Sequence, residues 1–333
     1  MRLARALLAG AALAGLGRLR ADPAGFVLVA NQGDDSVTVA DAETDRPVAT
    51  LAEHAVRGHE LVASPDGRYA FVPIYGNSGV GIPGIDGRTM LVFDLRSRSL
   101  VHTVDFGRGV RPHCIRYDPN SGDLFVTTEL DRSVTIVDAK SWRIVGRVPT
   151  GQSQSHMLVL TRDGRRGYTA NVGPGTVSVL DLVGRRTLGV IHVAEHVQRI
   201  AISNDDRWVF TSDTENPRLA VIDAAAQKLD GWIRLPGKGY GAVAAPEGDA
   251  VLVALPAKGK LALVNVAERR VARTLDLPGT PQEILLSPDG LTAYVSGFKS
   301  ASVAVVDLPN WRLKTVIPAG KGADGLAWAP PPR

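Results

Sequence analysis

One pattern recurs along almost the whole chain: a short apolar strand that ends in Asp or Asn. It occurs at Val39-Ala40-Asp41, Val92-Phe93-Asp94, Ile136-Val137-Asp138, Val179-Leu180-Asp181, Val221-Ile222-Asp223, Leu263-Val264-Asn265 and Val305-Val306-Asp307, with spacings of 53, 44, 43, 42, 42 and 42 residues. A second marker, Ser64-Pro65-Asp66-Gly67, returns intact at Ser287-Pro288-Asp289-Gly290 and in degenerate form at Thr161, Ser203 and Ala245. Pro presets φ, Asp accepts local hydrogen bonds and Gly tolerates an unusual φ, so each marker predicts a type I turn between strands. Each unit therefore reads as four short strands, in the second copy Leu61–Ser64, Tyr69–Ile74, Met90–Leu95 and Leu100–Asp105. Such units cannot bury both faces alone and stack radially as blades. Phe26–Leu51 supplies three strands without a first, and Gly325–Pro330 supplies a lone first strand, so the two ends complete one blade. The expected fold is all-β, a seven-bladed propeller forming one domain over residues 22–333.

The formal charge of +4 first suggests an anionic partner. Its location removes that implication. Arg2, Arg5, Arg18 and Arg20 precede the first acidic residue, Asp22, and without them 34 basic residues face 34 acidic ones. No nucleic acid partner is expected. The same segment has a basic start, an apolar run from Ala6 to Gly17 and a small residue at Ala21, which reads as a secretory signal cleaved after Ala21. The alternative is an uncleaved anchor, although the run is short for a span. Either way the body is expected outside the cytoplasm, periplasmic or secreted, and monomeric. A single cysteine, Cys114, excludes an internal disulfide, a CxxC pair and a thiolate zinc cluster.

The first strand of each blade lines a propeller's channel. Counting back five residues from each turn gives His59, His113, His156, Gln198, Tyr240, Gln282 and Asp324, with steps of 54, 43, 42, 42, 42 and 42. Three of the chain's seven histidines thus occupy consecutive copies of one position. Side chains alternate along a strand, so Glu60, Arg199 and Glu283, one place further on, are expected to point away from this ring. Arg57 and Arg111 fall at the mouth, and Asn31, Tyr75, Thr128, Glu129, Asn171 and Asp213 near its rim. The His59 blade carries ten extra residues within Tyr75–Arg88: ring residue to strand-end Asp spans 35 positions there against 25 in five other blades. A long loop beside the mouth predicts a lid.

The Gly-x-x-Pro-His-x-Ile stretch at Arg111-Pro112-His113-Cys114-Ile115, the Ser-Pro-Asp-Gly turns and Tyr294-Val295-Ser296-Gly297 resemble the bacterial YVTN or YncE-like propeller family. The resemblance covers residues 22–333 and is specific for fold rather than function. It implies an extracytoplasmic binding protein, a lactonase or a haem d1-related accessory protein. Absence of a Trp-Asp dipeptide makes a WD40 scaffold a poorer match.

Three functional expectations follow. His59, His113 and His156 would hold one transition metal, Cu, Zn or Fe, or would instead bond loop carbonyls and channel water. Thr128-Glu129-Leu130-Asp131-Arg132 faintly resembles a lactonase loop, which would make His113 a base, with Arg111 or Arg132 steadying an oxyanion and Glu129 beside them. No Gly-x-Ser-x-Gly elbow supports a serine hydrolase. The expectation preferred here is a small ligand, metal or protein partner bound at the upper mouth by the seven ring residues, without a defined catalytic set. Gly79–Gly84 and Gly320–Gly325 fit G-x-G-x-x-G but lead into no helix, so neither predicts a dinucleotide site. The strand-end aspartates are expected to be structural, and Cys114 to be a buried free thiol.

Overall fold

A computed structural model describes residues 24–245 and 250–332. The predicted leader at Met1–Ala21 and three residues of the Ala245 turn lie outside them. Seven four-stranded antiparallel sheets form the seven blades. The blades are named below by their ring residues. Inner strands run Val62–Ala63 in the His59 blade, Pro112–Asp118, Ser155–Leu160, Val197–Ile202, Ala242–Ala244, Pro281–Leu286 and, in the Asp324 blade, Ala323–Ala329.

Each inner and middle strand lies between two neighbouring blades, so both of its faces are covered. Val27, Leu28, Val29 and Ala30 are all fully buried, as a two-sided apolar run requires. The outermost strands lose one neighbour and become exposed along most of their length, as in Ser99–Asp105. No helix among the described residues is long and apolar enough to cross a membrane.

The turns work as their composition implies. Gly67 N donates to Ser64 O at 2.9 Å, with Gly67 at a φ of 68°, while Asp66 accepts from Arg68 N at 3.0 Å. The strand-end aspartates close the next turn. Asp94 accepts from the backbone of Arg96 and Ser97, and Asp181, Asp223 and Asp307 each accept from the N–H three residues on. These groups are used structurally.

Ring closure joins the ends of the described chain. Phe26 pairs with Ala329 and Asn31 with Ala323, an antiparallel strand that makes the last inner strand and the first middle strand neighbours in one sheet. The closing strand starts two residues earlier than the sequence suggests.

Candidate functional site

All seven ring residues line one cavity of about 260 Å³, together with Gln32, Tyr75, Gly79, Val80 and Phe298. The His113 and His156 rings lie 3.6 Å apart between centroids and 31° from parallel. His59 meets His113 edge-on at 5.2 Å, and Tyr75 packs 5.0 to 5.8 Å from all three imidazoles. His59 Nε2, His113 Nδ1 and His156 Nδ1 are buried without a hydrogen-bond partner. Burial, helped by Arg199 and Arg57, lowers His59 to about 3. Burial also carries His113 and His156 well below the usual imidazole value, with the other imidazoles and Arg199 adding to it. The rings are therefore neutral at physiological pH. The histidines meet as a packed cluster, and among the described residues no group of three or more His, Cys, Asp or Glu side chains is arranged to hold a metal ion.

The floor of the cavity corrects the alternation argument. In the His113 blade Pro112 faces Thr128 while Ile115 faces Val126, so three steps on the inner strand match two on its neighbour. Similar slips fall at Val197/Ile200, Pro281/Ile284 and Leu326/Ala323. The extra residue of a β-bulge turns two successive side chains toward the same side. Glu60, Arg199 and Glu283 thus enter the channel rather than leaving it. Arg199 donates through Nη1 to Glu60 Oε1 and to Glu283 Oε2 at 2.6 Å, and through Nη2 to Asp324 Oδ1 at 2.8 Å. Its guanidinium lies 5.0 Å from the Tyr240 ring. Gln32 completes the layer by donating to the other oxygen of Asp324. Burial pushes Asp324 up to about 6 and Glu283 to about 7, against the pull of Arg199. This charged plug separates the imidazole cavity from the lower channel.

The long loop covers the mouth, and its fastening uses up two residues expected to do chemistry. Arg111 donates to Asp86 at 2.6 Å, to the carbonyls of Gly79 and Ile82 at 3.3 and 2.9 Å, and to Glu129 at 3.2 Å. Glu129 accepts from Tyr75 Oη at 2.5 Å and from Gly81 N at 3.4 Å. Arg111 and Glu129 are loop anchors. Arg132 caps the short turn Glu129–Asp131 and lines a different, outer pocket of about 420 Å³ with the loop tip and Gln154. Arg111 and Glu129 line that outer pocket with Arg132, whereas His113 lines the imidazole cavity, so three of the four hydrolytic candidates share one space and the fourth lies in another.

Most rim positions are also engaged in the blades. Asn31 and Asn171 bond hydroxyls of their own sheets, Thr128 does the same with Ser133 and Thr135, and Asp213 bonds Arg218. Tyr75 alone among them reaches the cavity. Gln32 and Phe298 were not marked by the ring register, because they come from the adjoining loops. Cys114 is a buried free thiol whose Sγ lies 3.6 Å from Leu158 O.

Comparison with known proteins places this site in context. Residues 119–239 match the model of the cytochrome D1 haem domain family. That stretch contains His156, Gln198 and Arg199 but ends before Tyr240. Residues of the chain are 27% identical over 123 positions to dihydro-haem d1 dehydrogenase of Pseudomonas aeruginosa, covering 34% of this chain and 25% of that protein. They are 29% identical over 175 positions to 6-phosphogluconolactonase of Bacillus subtilis, covering 47% and 49%. The chain thus spans at most about half the length of these curated relatives. Among solved structures, Kuenenia stuttgartiensis hydrazine synthase superposes with a TM-score of 0.72 at 16% identity, covering 89% of this chain and 98% of that one. Dihydro-haem d1 dehydrogenase NirN in complex with DHE gives 0.63 at 16% identity, covering 93% and 76%. At such identity the structural likeness concerns the fold alone.

Proposed function

We infer that the chain is an extracytoplasmic, monomeric propeller related to the haem d1 group, binding a small uncharged polar molecule in the imidazole cavity. The observation that carries this is a cavity lined by three neutral imidazoles, each with a buried ring nitrogen that has no hydrogen-bond partner; that of His156 lies 4.0 Å from Glu129 Oε2. An unmade buried hydrogen bond costs about 1–3 kcal/mol, so three together favour a ligand that supplies the partners. Charge selects its type. The imidazoles are neutral, and Arg199 is consumed by three carboxyls, leaving neither a free cation nor a free anion facing the ligand. Size limits it further: about 260 Å³ lies below the ~300–1,000 Å³ of drug-sized pockets. A whole tetrapyrrole does not fit beneath the seated loop, so kinship with haem d1 proteins is carried by sequence and fold rather than by this closed cavity. The YVTN-type turns and the leader pattern support an exported member of that broad propeller group.

Native mass spectrometry of protein purified from an exporting host tests this reading. A small neutral adduct lost in the H59A/H113A/H156A variant supports it. An adduct-free wild type that binds haem equally well with and without the three histidines overturns it. Likeness to the lactonase favours a second reading, hydrolysis of a lactone at the same mouth. Turnover of 6-phosphogluconolactone abolished by H113A would establish it.

A further inference from the structure

Below the Arg199 plug lies a second cavity, of about 310 Å³, whose walls come from all seven inner strands. Three residues after each ring position the strands contribute Val62, Val159, Ala201, Val243, Leu285 and Ala327, six aliphatic side chains in a ring. The seventh member is Arg116. One long cation therefore stands where every other blade places a small or medium apolar side chain.

Arg116 is half-buried, and its guanidinium makes one hydrogen bond, from Nη1 to the carbonyl of Ile115 at 2.9 Å. The nearby acids are committed elsewhere: Glu60 and Glu283 both accept from Arg199. Burying a guanidinium with most of its five donors unused is costly unless something else meets them. The position also has an entrance. A third cavity of about 400 Å³ shares Arg116, Val159 and Ile202 with the lower cavity and continues past Asp118 and Thr161 to the exposed Arg162. Arg116 sits where the two spaces join.

We propose that the lower channel is a second binding site, for a small aliphatic monocarboxylate whose carboxylate pairs with Arg116 and whose chain lies in the apolar ring. A planar guanidinium matches a carboxylate in a two-point contact. Six aliphatic neighbours suit a short hydrocarbon chain, and one cation close to Glu60 and Glu283 balances a single negative charge better than a doubly charged phosphate. The site lies on the opposite side of the plug from the imidazole cavity and is independent of the function proposed for it.

Calorimetric titration with octanoate and with 1-octanol provides the test, using wild type, R116M and A201L. Octanoate is expected to saturate wild type at one site. R116M, which restores apolar character at this position, should weaken octanoate at least tenfold and leave 1-octanol within twofold. A201L narrows the cavity without touching the guanidinium and should weaken both. Thermal melts confirm that each variant is folded. Octanoate affinity in R116M within twofold of wild type, or no saturable octanoate binding by wild type, overturns the proposal.

Discussion

Arg199 and Asp324, 125 residues apart, are joined at 2.8 Å across the channel. The contact ties the inner strand Val197–Ile202 to the closing strand Ala323–Ala329, and Glu60 and Glu283 bind the same guanidinium from two further blades. A single side chain thus fastens four blades at the axis. Removing one partner of a buried ion cluster typically costs about 3–5 kcal/mol because the other charges are stranded. R199M is expected to lose stability of that order in urea unfolding. The quadruple variant R199M/E60Q/E283Q/D324N should recover most of it, and a quadruple no more stable than R199M would refute the explanation.

The imidazole cluster makes the fold sensitive to acid. His59 is held near 3 and His113 and His156 well below the free imidazole value of 6.5. Unfolded chains take up these protons below about pH 6.5 whereas the folded protein resists them, so stability present above that pH drains away as pH falls toward 3. Asp324 and Glu283 work in the opposite sense: raised from 3.8 and 4.5 to about 6 and 7, their contribution is complete below pH 4 and lost as pH rises through 6 to 7. The histidine share is read by difference: between pH 6.5 and pH 4 the melting temperature of wild type should lose more, or gain less, than that of H59N/H113N/H156N, as scanning calorimetry would record.

Glu53 provides an opposite case in isolation. It follows the outer strand Arg46–Ala52 at a place where later blades have Phe106, Thr150, Val193, Leu235, Leu277 and Ala319, each donating a backbone bond to a carbonyl just before or near the start of its own third strand. Glu53 is buried, accepts from Gly58 N at 2.8 Å and leaves Oε1 without a partner. Burial, with Asp35 nearby, pushes it up to about 7. Its stabilising contribution is therefore lost as pH rises through 7. E53Q should match wild type at pH 5 and surpass it in thermal stability at pH 9. Equal pH profiles would exclude a titrating role.

Seating of the long loop rests on Arg111. R111K keeps the charge but loses the fork that reaches Asp86, Gly79, Ile82 and Glu129 together. Loss of two or more hydrogen bonds at ~1 kcal/mol each implies at least roughly tenfold more opening. Limited proteolysis between Ser78 and Ile85 should accelerate accordingly, with the melting temperature of the blades unchanged. Unchanged cleavage would mean that the loop is held by something other than this clamp.

The blade count and channel register could be read in advance because the 42-residue step repeats two independent signals, the Ser-Pro-Asp-Gly turn and the strand-end Asp. Each position then inherits its place from its copies, which is how His59, His113 and His156 were brought to one cavity by counting alone. The plug was not legible in the same way. Period-two alternation assigned Arg199 to the wrong face because a bulge adds one residue without a composition of its own. Arg111 and Glu129 had the chemistry of a catalytic pair, and nothing in their spacing reveals that an inserted loop satisfies them. Arg116, in contrast, carries a signal visible once the copies are aligned: one charged residue against six aliphatic ones.

The shared blade also sets an order of events in synthesis. The middle strand Phe26–Asn31 is made before the strand that covers one of its edges, Ala323–Ala329. Until that last strand is available, the early blades form an open spiral with an unpaired edge at its start. The axial tie through Asp324 is equally out of reach, so closure of the sheet and locking of the channel are completed by the same seven residues.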